Sequence, residues 1–300
     1  MLNRSNEMKK ILITGATGLI GVAVIEKIIE TKSDIKVYAA SSRPDKLQIV
    51  DKNLKIISNK DIEDILKKEK IDILLQLAFP RNVSEDKWAD GIKYAIDILT
   101  MARKYGVERV VNVSSQSIYG LKRTKSADEK HEIFLNSPYT TGKYCTEVIT
   151  SNLFEEGKYT NIRLSTTIGP TTKERVPNKL FSQIVEGKNL EIRGGNQRFA
   201  FLDIRDAADG LLCLIKHDDI VWKNAYNLGT RESNSLVDIA NFCVQIGKEH
   251  GFDKTTVIVS TEDVVLDNQV EVSLFEKEFG WKAKYELRKS LRYIFEEVYI

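Results

Sequence analysis

The stretch Lys9-Lys10-Ile11-Leu12-Ile13-Thr14-Gly15-Ala16-Thr17-Gly18-Leu19-Ile20-Gly21 decides the fold. It opens as a short apolar run bounded by polar residues, the mark of a buried strand. It closes as the start of an apolar-periodic helix carrying Leu19, Ile20, Val24, Ile25, Ile28 and Ile29. Three glycines, 15, 18 and 21, stand between strand and helix. They permit a tight turn, close backbone approach to a pyrophosphate and close packing of helix on strand. The N–H groups and partial positive charge of the helix start suit the anion. The spacing is Gly-x-x-Gly-x-x-Gly rather than Gly-x-Gly-x-x-Gly. A glycine triplet alone says little; its place squarely between strand and helix gives it weight.

Outward from this stretch, strand and helix signals alternate. Strands are expected near 9–14, 35–40, 54–58, 71–77, 108–114 and 159–164, with helices near 19–31, 61–69, 86–105 and 138–156. Alternation of this kind implies an α/β fold, a Rossmann-type doubly wound parallel sheet with helices on both faces. After Gly169-Pro170 the rhythm changes. A polar segment, 171–178, precedes a helix near 178–187, the run Leu190-Glu191-Ile192-Arg193 and the turn Gly194-Gly195-Asn196.

Composition bounds the rest. A chain of 300 residues with 42% hydrophobic content has ample material for a large core. Net charge is +2, from 45 basic and 43 acidic side chains, and gives no reason to expect nucleic acid. Lys67-Lys68-Glu69-Lys70 reads as a solvated helix end. Cys145, Cys213 and Cys243 are an odd, scattered set without metal spacing, so a reducing compartment is expected and no metal site. No apolar stretch approaches about 18 residues and the N-terminus has no signal-peptide core, so a cytoplasmic protein without membrane attachment is expected.

Chemistry is concentrated in two places. In Tyr139-Thr140-Thr141-Gly142-Lys143 the tyrosine and lysine are four apart, one face and about one turn apart on a helix. A free phenol is sluggish as an acid or base at neutral pH, and a nearby ammonium favours the phenolate and speeds proton exchange. The pair alone occurs often by chance. The run Arg109-Val110-Val111-Asn112-Val113-Ser114-Ser115 is a strand with two serines at its carboxyl end, the edge where open α/β sheets bind ligands. Ser115 can steady a substrate oxygen beside Tyr139; taken alone it reads equally as a serine capping backbone in a turn.

At this point the chain resembles the extended short-chain dehydrogenase/reductases, in their sugar-nucleotide epimerase, dehydratase and reductase branch. The resemblance runs in order through Thr14–Gly21, Leu77-Ala78, Val113-Ser114-Ser115 with Tyr119-Gly120, and Ser137-Pro138-Tyr139 with Lys143 and Glu147. It continues in Arg163-Leu164, Ile168-Gly169-Pro170, Phe201–Ala208 and Tyr226-Asn227-Leu228-Gly229. It implies that residues 1–170, with a return of the chain near 200–230, form the dinucleotide-binding body, and that 171–300 are mainly a smaller substrate lobe closed by Trp281 and Tyr285. It further implies Tyr139 as the acid–base residue, Lys143 as its tuner and ribose ligand, and Ser115 as the group that positions the reacting oxygen. Gly15, Thr17, Gly18, Leu19, Ile20, Gly21, Leu77 and Ala78 would line the dinucleotide.

Cofactor choice turns on the second strand, which ends Ala40-Ser41-Ser42-Arg43. An NAD enzyme usually places a carboxylate here for the ribose 2′-hydroxyl. A guanidinium and two hydroxyls suit a 2′-phosphate instead, so NADP(H) is expected over NAD(H), with Ser41, Ser42 and Arg43 as its ligands. Relatives that use NAD without the acid keep the other choice open.

Departures from the family pattern shape the substrate reading. Gln116-Ser117 stand where dehydratases carry Asp-Glu, which disfavours elimination of water. Thr166 and Gly91 stand where asparagines are usual, and the diphosphate-binding arginine is offset by one, as Arg198 before Phe199. Gln116, Thr166 and Arg198, with Ser115, are the candidate substrate contacts; Arg175 and Lys179 are alternatives. Asp206 is expected to fix the start of the helix that follows it. A sugar-nucleotide 4-epimerase is expected, with an NADPH-dependent 4-keto-sugar-nucleotide reductase or a non-catalytic NADP(H)-binding regulator as alternatives. In this family the helices at 86–105 and 138–156 pair into dimers. Trp88, Ile92, Ile96, Leu99, Tyr144, Val148 and Leu153 would form the interface of a homodimer, or pack on their own sheet, as they must in part.

Overall fold

The structure of the protein, a computed structural model, describes residues 8–80, 85–217, 219–262 and 264–300, and of residues 85 and 86 the backbone alone. The N-terminal residues read above for a signal peptide lie, up to residue 7, outside the described residues. In chain order the elements begin β1 (Lys9–Thr14), α1 (Leu19–Glu30), β2 (Ile35–Ser41), β3 (Leu54–Ser58), α2 (Ile62–Lys68), β4 (Ile73–Gln76), α3 (Glu85–Lys104), β5 (Arg109–Ser115), α4 (Pro138–Leu153) and β6 (Tyr159–Leu164). They continue with β7 (Thr166–Ile168), α5 (Val176–Val185), β8 (Leu190–Arg193), β9 (Arg198–Phe199), β10 (Phe201–Asp203) and α6 (Ile204–Lys216). The last are β11 (Ala225–Leu228), β12 (Asn234–Ser235), α7 (Leu236–Glu249), β13 (Val257–Ser260), α8 (Ser273–Phe279) and α9 (Leu287–Tyr299).

Two compact units result. The first takes the described residues up to Ile118, then Leu135–Arg163 and Leu211–Tyr226; the second takes Tyr119–Phe134, Leu164–Gly210 and Asn227–Ile300. The first unit is built on a seven-stranded sheet in the order β11-β6-β5-β4-β1-β2-β3. β1 pairs with β2 and β4, β2 with β3 and β4 with β5, all parallel. This is the Rossmann-type doubly wound sheet that the alternation implied. The strands read as apolar runs because both faces are covered. Leu12, Leu74 and Val110 face a core that includes Ile62, Leu66, Ile98 and Leu99, while their neighbours Ile11, Ile13, Leu75 and Val111 are buried too.

From β1 the order runs through β2 to β3 on one side and through β4 to β5 on the other. The connections therefore leave β1 and β4 toward opposite edges, opening a crevice beyond their carboxyl ends. Helix α4 stops at Leu153, short of the expected 156, because Phe154 is extended and Gly157 turns with φ of 80°. Of the expected interface residues, Leu99 is fully buried in its own core, and Leu153 packs against that core. Ile96 on α3 and Val148 on α4 are 38% and 42% exposed.

In the second unit α5, α7 and α9 enclose Phe181, Ile184, Ile239, Cys243, Leu291 and Phe295. Burial pushes the Cys243 thiol well above its ordinary range, and none of the three cysteines is joined in a disulfide. Asp206 does not start α6. Asp203 does so, accepting the Arg205 N–H at 2.9 Å, while Asp206 sits inside the first turn and accepts the Lys284 and Tyr285 N–H groups at 3.0 and 2.9 Å. Burial pushes the Asp206 carboxyl up, against the pull of those two N–H groups. The helix-start reading missed this because the partners lie 78 and 79 residues away. Among the described residues no helix is long and apolar enough to cross a membrane.

Candidate active site

The glycine loop is shaped by contacts that exclude a side chain. Gly15 has φ of 68°, and a Cβ there would lie 2.9 Å from the Ala78 nitrogen. A Cβ on Gly21 would lie 2.5 Å from the Gly15 oxygen, so the third glycine packs α1 on the loop itself. Gly18 ends the loop as the residue before α1, with no side-chain cap on the first-turn N–H groups. These N–H groups have no partner within the helix and face any anion bound at its start. Thr14 ties the loop to its neighbour after β4. Its hydroxyl donates to Gln76 Oε1 and accepts the Leu77 and Ala78 N–H groups at 3.2 and 3.4 Å, and Gln76 Nε2 donates to the Ala78 oxygen at 2.9 Å. Gly15, Gly18, Gly21, Leu77 and Ala78 thus come together at the crevice, and Thr17, Leu19 and Ile20 lie on the same loop and first turn. A narrow backbone cradle that a single Cβ would fill fits the pyrophosphate of a dinucleotide.

Helix α4 begins with a capping box. The Ser137 hydroxyl accepts the Thr140 N–H at 3.2 Å, the Thr140 hydroxyl accepts the Ser137 N–H at 3.1 Å, and Pro138 follows the cap. Such a start holds Tyr139, in the first turn, in helical geometry. One turn on, Lys143 is 6% exposed and its ammonium donates to the Val113 oxygen on β5 at 2.7 Å. Ser115 ends that strand. Its Oγ accepts the Ser117 N–H at 3.2 Å, which leaves the hydroxyl proton to be offered.

Below this face lies a layer of buried polar groups. Asn112 Nδ2 donates to Thr146 Oγ1 at 3.2 Å and Asn161 Oδ1 at 2.8 Å, and Thr146 Oγ1 donates to the Lys143 oxygen at 2.7 Å. Glu147, one turn beyond Lys143, accepts Arg163 Nη2 at 2.9 Å and Nε at 3.2 Å. Buried polar groups must meet their partners or cost about 1–3 kcal/mol each, so α4 has one register on β5 and β6. The family resemblance names Glu147 and Arg163 separately; the structure pairs them across α4 and β6.

Elsewhere the expected residues fare differently. Ser41 is 3% exposed; its hydroxyl shares a hydrogen bond with Thr17 Oγ1 at 2.7 Å and accepts the Arg43 N–H at 3.0 Å. It is spent on the loop, and only Ser42 and Arg43 of that trio are exposed. Gln116 is buried, 1% exposed. Thr166 and Arg198 belong to the second unit. Thr166 Oγ1 accepts Asn268 Nδ2 at 3.3 Å, and Arg198 donates through Nε to Ser233 Oγ at 3.2 Å and through Nη2 to the Ser233 oxygen. Lys179 pairs with Glu174 at 3.3 Å. The second unit also joins two residues of the family pattern, Tyr119 donating to Asn227 Oδ1 at 2.8 Å. Sequence reasoning missed Phe79, whose ring centroid is 6.0 Å from that of Tyr139 and whose face lies 4.9 Å from the Lys143 ammonium. Among the described residues no group of three or more His, Cys, Asp or Glu side chains is arranged to hold a metal ion.

With the glycine loop and Tyr139, Lys143 and Ser115 on one body, comparison with known proteins becomes informative. The family model for the NAD dependent epimerase/dehydratase family matches residues 11–229. The chain belongs to this family. It is 27% identical to a putative UDP-glucose 4-epimerase of Methanocaldococcus jannaschii, over 94% of this chain and 96% of the relative. It is 27% identical to a dTDP-D-glucose 4,6-dehydratase of Mus musculus, over 95% of this chain and 87% of the relative. The UDP-glucuronic acid 4-epimerase of Bacillus cereus, solved with UDP-glucuronic acid and NAD, shares the fold with a TM-score of 0.81 at 20% identity, over 96% of this chain and 99% of that one.

Replacing Gly15 by Ala tests the cradle. The side chain forces an unfavourable φ, worth about 1–2 kcal/mol, and meets the Ala78 backbone. The expected outcome is a lower melting temperature together with loss of dinucleotide binding, read by calorimetry and by fluorescence titration with NADH.

Proposed function

We propose that the chain binds NAD(H) at the glycine loop and inverts one carbon of a nucleotide sugar, acting as a sugar-nucleotide 4-epimerase. The observation that carries this reading is the anchoring of Tyr139 and Lys143 on one face of α4, with the lysine bonded to β5 two residues before Ser115. Gly15, Gly18, Gly21 and Ala78 would hold the pyrophosphate, and Lys143 the nicotinamide ribose. Bound there, the nicotinamide supplies a hydride acceptor that is regenerated within one turnover. Tyr139 removes the proton of the sugar hydroxyl and later returns it. Ser115 donates its hydroxyl proton to the same oxygen and keeps it in line. Lys143 stands beside them as the compensating cation, held against the Val113 oxygen. Gln116, buried and neutral, supports the reading against dehydration.

The relatives' names support nucleotide sugars as the substrate class. Within the second unit Thr166 is half-buried, whereas the Arg198 guanidinium is spent on Ser233. For the cofactor, NAD(H) now stands ahead of the NADP(H) expected from sequence. Burial of Ser41 removes one of the three groups counted for a 2′-phosphate, and the family is described as NAD dependent. NAD(H) in place of NADPH also favours epimerisation over net reduction. Three cysteines outside any disulfide fit a cytoplasmic setting. The exposed Ile96 and Val148 fit a homodimer through α3 and α4.

With UDP-, GDP- and dTDP-sugars as substrates, product interconversion without net change in reduced-cofactor absorbance is expected. Tyr139→Phe lowers that rate by about 100-fold or more while NAD+ affinity stays within about threefold. Full activity in the variant would remove Tyr139 from its role. Stoichiometric loss of reduced cofactor on a 4-keto sugar nucleotide would mark a reductase, and cofactor binding with no turnover a regulator. Separately, calorimetric titration is expected to give at least tenfold tighter binding of NAD+ than of NADP+; the reverse order would restore Arg43 as a phosphate clamp.

A further inference from the structure

We propose that Phe79 is a positioning residue that holds the Lys143 ammonium and the Tyr139 ring in their working arrangement, and that Gly142 exists to seat it. The proposal rests on the epimerase reading for its consequence in turnover, but not for its geometry. Phe79 and Pro80 follow Leu77-Ala78 directly, and each is keyed into a helix at a glycine. A Cβ on Gly142 of α4 would lie 2.5 Å from Phe79 Cζ and 2.6 Å from Trp88 Nε1. A Cβ on Gly91 of α3 would lie 2.2 and 2.3 Å from Pro80 Cδ and Cγ. No side chain fits at either glycine while the dipeptide stays where it is. The Phe79 ring and the Pro80 ring are therefore each seated against a helix, α4 and α3, at its glycine.

What the ring touches there decides its role. Its face lies 4.9 Å from Lys143 Nζ, within the range at which an aromatic quadrupole attracts a cation. It also meets the Tyr139 ring at 71°, the edge-to-face geometry that aromatic pairs prefer. The Val113 oxygen holds the ammonium from the strand side at 2.7 Å, and the ring bounds it on a second side. Lysine has four rotatable bonds, and each contact to its head narrows where the ammonium can lie. The aromatic face adds a non-directional attraction from a ring that also meets the Tyr139 ring. An aliphatic side chain of similar bulk would fill the space without attracting the charge.

The test is a double-mutant cycle on the full chain with Phe79→Leu, Lys143→Ala and their combination. NAD+ affinity and, with a UDP-sugar that the wild type interconverts, kcat and KM are the readouts. Phe79→Leu is expected to lower kcat about tenfold with the sugar-nucleotide KM within about twofold, and to weaken NAD+ binding about threefold or more. In the Lys143→Ala background it is expected to change neither. Gly142→Ala, which displaces the ring without removing it, should reproduce the Phe79→Leu pattern and serves if Phe79→Leu does not fold. Equal losses from Phe79→Leu in both backgrounds would overturn the proposal and leave the ring as filler. The NAD+ arm needs no turnover. If no nucleotide sugar is converted, the epimerase reading falls while this arm still judges Phe79; a wild type that binds no NAD+ overturns both.

Discussion

A lysine ammonium held out of water is the constraint on which the first unit depends. Charged groups are costly to bury, and Lys143 is buried at the end of β5 with the Val113 oxygen as acceptor. A hydrogen bond from a charged donor contributes about 1.5–3 kcal/mol, provided donor and acceptor stay aligned. Alignment requires that α4 neither slide nor rotate on the sheet. The Ser137 capping box fixes where the helix starts, and the Asn112–Thr146–Asn161 network and the Glu147–Arg163 pair fix how it sits. Removing one member of such a buried ion pair costs about 3–5 kcal/mol, a large share of the roughly 5–15 kcal/mol that keeps a domain folded. The polar layer is thus expensive, and its result is one rotational setting for Tyr139, Lys143 and Glu147.

The same unit brings the cradle to that setting through sheet topology. β1 and β4 are neighbours from which the chain departs in opposite directions, so the loops after them face one another across a crevice. Gly15 and Ala78 touch there, and Thr14 binds the two loops together through its single hydroxyl. The glycine loop and the Tyr–Lys face are therefore products of one sheet, the loop after β1 against the chain after β4, the Tyr–Lys face over β5.

Much of this was legible in the sequence because the signals are local. The β1 run, the glycine triplet, the apolar period of α1 and the four-residue Tyr–Lys spacing each report on neighbours in the chain. What stayed hidden depends on distant partners. Asp206 looked like a helix-start residue, yet its carboxylate holds the backbone at Lys284 and Tyr285. Ser41 looked like a phosphate ligand, yet its hydroxyl is occupied by Thr17 and the Arg43 N–H. Leu99 carried the apolar period of an interface helix, but that period cannot distinguish a partner subunit from the helix's own core. Gly91 read as a missing asparagine of the family pattern, and Gly142 as no more than a spacer between Tyr139 and Lys143. Only the positions of Pro80 and Phe79 give the glycines a reason.

The most direct measurement is a structure of the chain crystallised with NAD+. The account predicts the pyrophosphate against Gly15, Gly18 and Gly21, the Lys143 ammonium within hydrogen-bonding distance of the nicotinamide ribose, and the Tyr139 hydroxyl facing the redox carbon. A dinucleotide bound elsewhere, or one whose nicotinamide lies beyond the reach of both Tyr139 and Lys143, would contradict it.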